Sequence, residues 1–491
     1  MGTRLFFTKI GMINIVILLI SLFNCSCKKE SKTVTTVPSV TPPTEMVSID
    51  SSAFYGATLP TDAVLSAINS VVANPAPKTA LRVIDVTKYG IKPNDNADDS
   101  KIFKSLVKSN INLFFPKGTY DINQFVNVNA VQNLSITGEA GTIFKSTQDK
   151  ILTLSGNLST VEISGISFVS TKVSNVNDTE GLIFIACYGD NDLMSNINIH
   201  DCQFTNPKSQ CNGIKLVSEG KKSMIENITV TNNKFLSIGR MGVEFQNHLY
   251  APMLARYKNY YINNNSFVDI GTIQTGPAPS CISVSGYSVN GQINNNDIKD
   301  MHMNTSGNVY YGIENAGAVG LTTNGNHIHT STYGFTGILG SGPSTAESIA
   351  RGGMLKGNWT IQNNLIELTG SVTDKTKIRG MDISYTNGFT ISNNVITTDG
   401  IGMKFTECQN GNVISNTVKV KNGNVLYFQI SSSNNTVYKN ILDASAGPDD
   451  GVVMFNGSTT KNNNAYNNKL IKTGGKPGGY VNWAGAFNNY H

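Results

Sequence analysis

The pattern of apolar and polar positions repeats along the chain. Asparagine, often doubled, precedes a buried-type residue two positions on: Asn233 before Phe235, Asn265 before Phe267, Asn296 before Ile298 and Asn326 before Ile328. The series continues with Asn364 before Ile366, Asn394 before Ile396, Asn416 before Val418, Asn440 before Leu442 and Asn468 before Leu470. Its steps are 22–32 residues, with one of 38. A recurring period in that range marks a solenoid. The units are β-branched, Asn-rich and Gly-punctuated, which excludes helical repeats. Stacked coils would set each Asn over the next, where side-chain amides can bond along a ladder. A second element follows each Asn: Gly213-Ile214-Lys215-Leu216, Gly242-Val243-Glu244-Phe245, Cys281-Ile282-Ser283-Val284, Gly312-Ile313-Glu314-Asn315, Gly337-Ile338-Leu339, Gly380-Met381-Asp382-Ile383, Gly402-Met403-Lys404-Phe405 and Tyr427-Phe428-Gln429-Ile430. Because a strand alternates its faces, the residue between two apolar ones points outward. This predicts one exterior column: Lys215, Glu244, Ser283, Glu314, Leu339, Asp382, Lys404 and Gln429.

Upstream, Thr61-Asp62 caps an expected helix from Ala63 to Val72, and Asp98-Asp99-Ser100 opens a second with Ile102, Phe103, Leu106 and Val107 apolar. The stretch from Asp85 to Val107 (DVTKYGIKPNDNADDSKIFKSLV), followed by the strand–turn–strand segment Leu113 to Ile122 (LFFPKGTYDI), resembles the N-terminal part of pectate-lyase-like proteins. That superfamily includes pectinases and tailspike depolymerases. The resemblance covers about 40 residues and speaks to fold rather than reaction. It implies an all-β, single-stranded right-handed parallel β-helix, a pectin-lyase-like solenoid, with an N-terminal helical cap. The β-helix domain is expected over 46–491, with the capping segment at 46–125.

Residues 1–27 read as an export signal. Arg4 and Lys9 precede an apolar run from Ile13 to Phe23, which is too short to span a membrane comfortably. Cys25 and Cys27 at its end resemble the lipobox of bacterial lipoproteins, with Asn24 unusual before Cys25 and Ser26 suitable before Cys27. Both registers stay open, beside a plain signal peptide without lipid. Residues 28–45, rich in Lys, Ser, Thr, Val and Pro, form a flexible tether. The protein is thus expected to be exported to a bacterial cell envelope, at the outer membrane or cell surface, touching membrane through its lipid alone. A net charge of +5 with 14% charged residues gives no strong basic patch and argues against a nucleic-acid partner. Cys187, Cys202, Cys211, Cys281 and Cys408 match no zinc spacing; Cys202 and Cys211 could bridge a turn, but buried thiols are the commoner outcome.

The column supplies candidate chemistry. Strands lie about 4.8 Å apart, so Glu244 and Glu314, two coils apart, have backbones near 10 Å, and Asp382 lies two coils further on. Inverting glycosidases hold their acid and base roughly 6.5–9.5 Å apart. Glu244, Glu314 and Asp382 are therefore the candidate catalytic residues. The gap from Glu244 to Asn265 is long and holds His248, Tyr250, Arg256 and Tyr257; the gap from Leu339 to Asn364 is long and holds Arg351. Such insertions on a rigid scaffold commonly build binding walls. Lys215, Arg240, His248, Tyr311 and Arg379 are candidate substrate-binding residues, with Tyr250, Tyr310 and Tyr385 near the column as sugar-stacking rings. His327 and His329, bracketing inward Ile328, are expected to face solvent, as are Lys404 and Gln429.

The resemblance implies a polysaccharide substrate but not a mechanism. The polygalacturonase set within the superfamily includes a G-H-G segment, which is lacking here, and Asp449-Asp450 stands without it. No compact calcium cage is legible, so no cofactor and no metal is expected. Glycoside hydrolysis by the carboxylates leads. Alternatives are β-elimination on a uronate polysaccharide, with Lys215, Arg240, His248, Tyr311 or Arg379 acting on the carboxylate or the C5 proton, and a non-catalytic glycan-binding or adhesion solenoid.

Overall fold

The computed structural model describes residues 81–174, 180–246, 255–273, 279–302, 309–331, 334–342, 356–370, 375–444, 452–471, 479–483 and 485–490. The chain divides into two units, Met1–Ala76 and Pro77–His491. The first, which contains the signal, Cys25, Cys27, the tether and the expected Ala63–Val72 helix, lies outside the described residues. In the second, strands pair in parallel with the third strand further along the sequence. Asp297–Lys299 pairs with His327–Thr330, which pairs with Leu365–Leu368, then Val395–Thr398, then Thr417–Val420. Three strands per turn, each hydrogen-bonded to the coils before and after it, make a parallel β-helix. Three sheets run along it. The first follows the asparagine corner, the second carries the column, and the third returns to the corner.

Inward residues stack on their own kind. In the first sheet Phe168, Phe204, Phe235 and Phe267 lie face to face, with successive ring centroids 5.2, 4.8 and 4.7 Å apart. Ile298, Ile328 and Ile366 continue the same file, fully buried. The glycines that open the column strands face this file. A Cβ on Gly242 would sit 2.5 Å from the Phe267 ring and 2.7 Å from the Cys281 carbonyl oxygen, so at this position only glycine fits. The helix Ser100–Leu106 buries Phe103 edge-on against Phe115 and Phe144, at 4.9 and 5.6 Å.

The asparagine corner divides its labour. The residue before each ladder position takes the left-handed conformation: Asn232, Asn264, Asn295, Gly325, Asn363 and Asn393 have φ between 54° and 66°. Short amide side chains and glycine tolerate that region best. The next asparagine is buried and stacks. From Asn233 to Asn468 each Nδ2 donates to the following Oδ1 at 2.9–3.1 Å. The second Nδ2 proton of Asn296 goes to the Ile262 carbonyl at 2.9 Å, and its Oδ1 also accepts the Asn265 backbone N–H at 3.0 Å. Every polar group of the buried amide is thereby used. A second ladder, Asn435–Asn463–Asn488, runs along another corner near the C-terminal end.

Replacing Asn296 by Ala strands a carbonyl and two N–H groups in the interior, each costing about 1–3 kcal/mol. The Asn296→Ala variant should therefore lose several kcal/mol in urea or thermal unfolding. Asn295→Gly, one residue away and already left-handed, should shift the midpoint hardly at all.

Candidate active site

The column strands stack in register. Lys215 pairs with Glu244, Glu244 with Ser283, Ser283 with Glu314, Glu314 with Leu339, Leu339 with Asp382, and Asp382 with Lys404. The next member is Tyr427, not Gln429: Lys404 pairs with Tyr427, and Gln429 pairs with Thr406 one rank over. The misassignment arose at Ile430, which is no inward strand residue. It sits in the corner at φ 45°, half exposed, so the alternation is anchored by Leu426 and Phe428 instead. Upstream the column reaches Phe184.

Two further ranks flank the column. On one side Ser280, Tyr311, Thr336 and Arg379 pair in succession. On the other lie Ser285, Ala316, Ser341, Ser384 and Thr406, a lane of small side chains. Tyr311 and Arg379 therefore belong to one side of the Glu314–Leu339–Asp382 segment.

The column differs from a solvated face. Lys215, Glu244 and Asp382 retain only 1%, 3% and 7% of their accessible surface. At the N-terminal end Glu244 Oε2 accepts from Asn212 Nδ2 at 2.7 Å and Arg240 Nη1 at 2.9 Å, and forms an ion pair with Lys215, whose Nζ lies 3.2 Å away. Lys215 and Arg240, expected to meet substrate, are buried on Glu244 instead, because an unpaired carboxylate at that depth would be costly. Burial lowers the Lys215 pKa from the ordinary lysine range, partly opposed by Glu244.

Glu314 has different company. Its Oε2 accepts hydroxyl protons from Ser283 at 2.7 Å and Ser280 at 3.0 Å. Burial raises its pKa above the usual glutamate value; the two serines pull it down and Glu244 adds to the rise. Two coils on, Asp382 Oδ2 pairs with Arg379 and lies 3.8 Å from Lys404 Nζ. Lys404 is thus a partner of Asp382 rather than a free surface lysine, and burial depresses its pKa. Tyr311 is half-buried; burial raises its phenol pKa, and the charges of Glu314, Arg379 and Asp382 all reach it. Thr336 Oγ1 and Arg240 Nε are buried without a hydrogen-bond partner among the described residues.

Several expected binders have other duties. Tyr257 is fully buried and donates its hydroxyl to the Leu216 carbonyl at 3.0 Å, while Arg256 binds the carbonyls of Gly220 and Ser223. Tyr310 is a core residue. Tyr385 stands in the corner after Asp382 with φ 52°. His248, Tyr250, Arg351, Asp449 and Asp450 lie outside the described residues. The five described cysteines are buried and none is in a disulfide, so Cys202 and Cys211 form no bridge; burial pushes the Cys187 and Cys202 thiols up to about 12. His327 and His329, expected in solvent, converge on Asp297. The hydroxyl partners Ser280 and Ser283 and the amide Asn212 had no separate signal in the sequence, since only coil register brings them to the acids.

No family model matches the chain, and no curated protein matches it. Solved structures similar to it include the catalytic unit of a GH87 alpha-1,3-glucanase from Streptomyces thermodiastaticus strain HF3-3, at 17% identity over 84% of this chain and 70% of the other, TM-score 0.48. DFA-IIIase from Arthrobacter chlorophenolicus A6 matches at 13% identity over 73% and 94%, TM-score 0.49. PfbA, a surface adhesin of Streptococcus pneumoniae, matches at 13% identity over 83% and 91%, TM-score 0.44. The chain itself has the parallel β-helix architecture expected from its N-terminal segment.

Proposed function

We propose that the protein is an exported, lipid-anchored enzyme that hydrolyses a polysaccharide, with Glu314 as general acid and Asp382 as general base. The observation that carries this reading is the unequal environment of two carboxylates in register two coils apart. Burial, prevailing over the two serine hydroxyls, shifts Glu314 toward the protonated form needed to give a proton to a leaving oxygen. Asp382, paired with Arg379 and 3.8 Å from Lys404, is the carboxyl placed to take a proton from water. Their backbones are separated by two strand spacings, about 10 Å, which side chains leaning together bring into the inverting range. Leu339 between them gives an apolar floor. Tyr311 and Arg379 offer a ring and a cation on one side, and the lane of small residues leaves room for a sugar chain on the other. Glu244 takes a positioning part: held by Lys215 and Arg240, it raises the Glu314 pKa from a distance.

A uronate lyase is the second reading. The buried Lys215 and Lys404, with lowered pKa values, are potential bases, and Arg379 could meet a sugar carboxylate. The anchor would be Cys25 or Cys27, and mass spectrometry of Cys25→Ser and Cys27→Ser variants identifies the acylated one.

A glycan panel separates the readings. Hydrolysis should yield new reducing ends without unsaturated-sugar absorbance, elimination would yield both, and an adhesin would bind and release nothing. Glu314→Gln and Asp382→Asn should each lower turnover about 10²–10⁴-fold, and unchanged turnover in both would remove the proposal. If Glu314 is the acid, activity falls as pH rises through its folded pKa. Ser283→Ala removes a hydrogen bond that lowers that pKa, so the alkaline limb of the pH profile should move to higher pH. A limb that stays fixed assigns it to another group.

The same shift affects stability. A carboxyl whose folded pKa lies above its unfolded value stabilises the fold at low pH, and that contribution is lost as pH rises through the folded pKa. Glu314→Gln should therefore gain stability relative to the parent between acid and neutral pH. Denaturation midpoints at a series of pH values give the comparison.

A further inference from the structure

We infer that the outer surface of the first sheet carries a site for a divalent transition-metal ion of the zinc class, formed by Asp297, His327 and His329. The three side chains come from two adjacent coils. Asp297 pairs with His327, and His329 stands two residues further along the same strand. Their donor atoms lie within 4.8 Å of one another. Asp297 Oδ1 is 3.3 Å from His329 Nε2 and 3.6 Å from His327 Nδ1. Two ligands bound at 2.0–2.1 Å in a tetrahedron are separated by about 3.3–3.5 Å, so both distances suit ligands that share one ion. The longer one exceeds a hydrogen bond, so a direct bond does not explain that approach.

The imidazoles support the same reading. Side chains two apart on a strand share one face, and these rings stack with centroids 4.3 Å apart and planes 13° from parallel. The other nitrogen of His327, Nε2, lies 3.0 Å from Glu367 Oε2 on the following coil. A metal-binding histidine characteristically donates its remaining N–H to a carboxylate, which fixes its tautomer and makes the ligand nitrogen more basic. Glu367 places His327 in that arrangement, with Nδ1 turned toward Asp297. Lys299 Nζ lies 3.7 Å from the second oxygen of Asp297, leaving Oδ1 for the ion. The two histidines are 35% exposed and Asp297 41%, so an ion can enter from solvent and a water can fill the fourth position. The two coils joined lead into the strands bearing Glu314 and Leu339, and the supporting Glu367 lies on the coil that leads into the Asp382 strand. An ion here would therefore tie together two of the three turns over which the acid–base distance is set.

The test uses the mature chain, stripped with a chelator and titrated with zinc chloride by calorimetry, with cobalt(II) as a visible-absorption probe. Expected results are one ion per chain, a tetrahedral cobalt spectrum, and a thermal midpoint raised by zinc. His329→Gln should weaken binding at least 100-fold, and Glu367→Gln, which removes only the supporting carboxylate, about 10-fold. Circular dichroism verifies that these surface variants remain folded. Absence of stoichiometric binding in the parent overturns the site. So does zinc binding that persists unchanged in a His327→Gln/His329→Gln double variant, since the ion would then sit elsewhere.

Discussion

The molecule depends on register between successive coils. No single coil can satisfy its own backbone or bury its own apolar face; both are completed only by the turns before and after it. The buried asparagines enforce the fit. An amide that must meet an amide above, an amide below and a carbonyl beside it has one acceptable height and one acceptable orientation. A slip by one residue would break that ladder, and it would exchange the inward Ile214 and Leu216 for Lys215. Apolar stacking alone would tolerate small slides; the amides do not.

Register explains what the sequence could and could not disclose. The asparagine spacing and the Gly–apolar–x–apolar element placed Lys215, Glu244, Ser283, Glu314, Leu339, Asp382 and Lys404 in one file, because alternation and period are local properties. Gln429 was misplaced where the local signal failed. Tyr427-Phe428-Gln429-Ile430 lacks the opening glycine, and Ile430 looks like a core residue while serving as a corner. Burial was not legible for the charged members. Lys215 and Arg240 read as solvent-facing cations because nothing in their own segments reveals that Glu244, 29 residues beyond Lys215 in sequence, waits at hydrogen-bonding distance. The same holds for His327 and His329, whose partners Asp297 and Glu367 lie on neighbouring coils. Pairings across coils depend on the exact number of residues in each turn and on side-chain conformation, neither of which alternation encodes.

The electrostatics of the column are best understood as an asymmetry. Three carboxylates share one file, and two of them hold a guanidinium: Glu244 has Arg240, and Asp382 has Arg379. Glu314, between them, has two serine hydroxyls instead. Hydroxyls stabilise a carboxylate less than a cation does at similar depth, so burial prevails at Glu314 and its pKa rises. Pairs of titratable groups whose surroundings push them apart are the pattern by which one site performs acid and base chemistry together. A scaffold seeking stability alone would have little use for such an arrangement, since an apolar residue at position 314 would avoid the cost of a buried, incompletely compensated acid.

A solenoid also suits this chemistry for a mechanical reason. Spacing along the column is fixed by strand separation, which the ladder holds constant, whereas the length of chain between strands is free to vary. The step from Asn326 to Asn364 is 38 residues, and that from Asn394 to Asn416 is 22, yet the amide bonds across both are 2.9 Å. Insertions can thus be enlarged around the acids without altering the distance between them. Substrate preference and catalytic geometry are then set by different parts of the chain. On the proposed reading the variable connections would set substrate preference, while the acid–base separation would be inherited from the backbone hydrogen bonds of the coil.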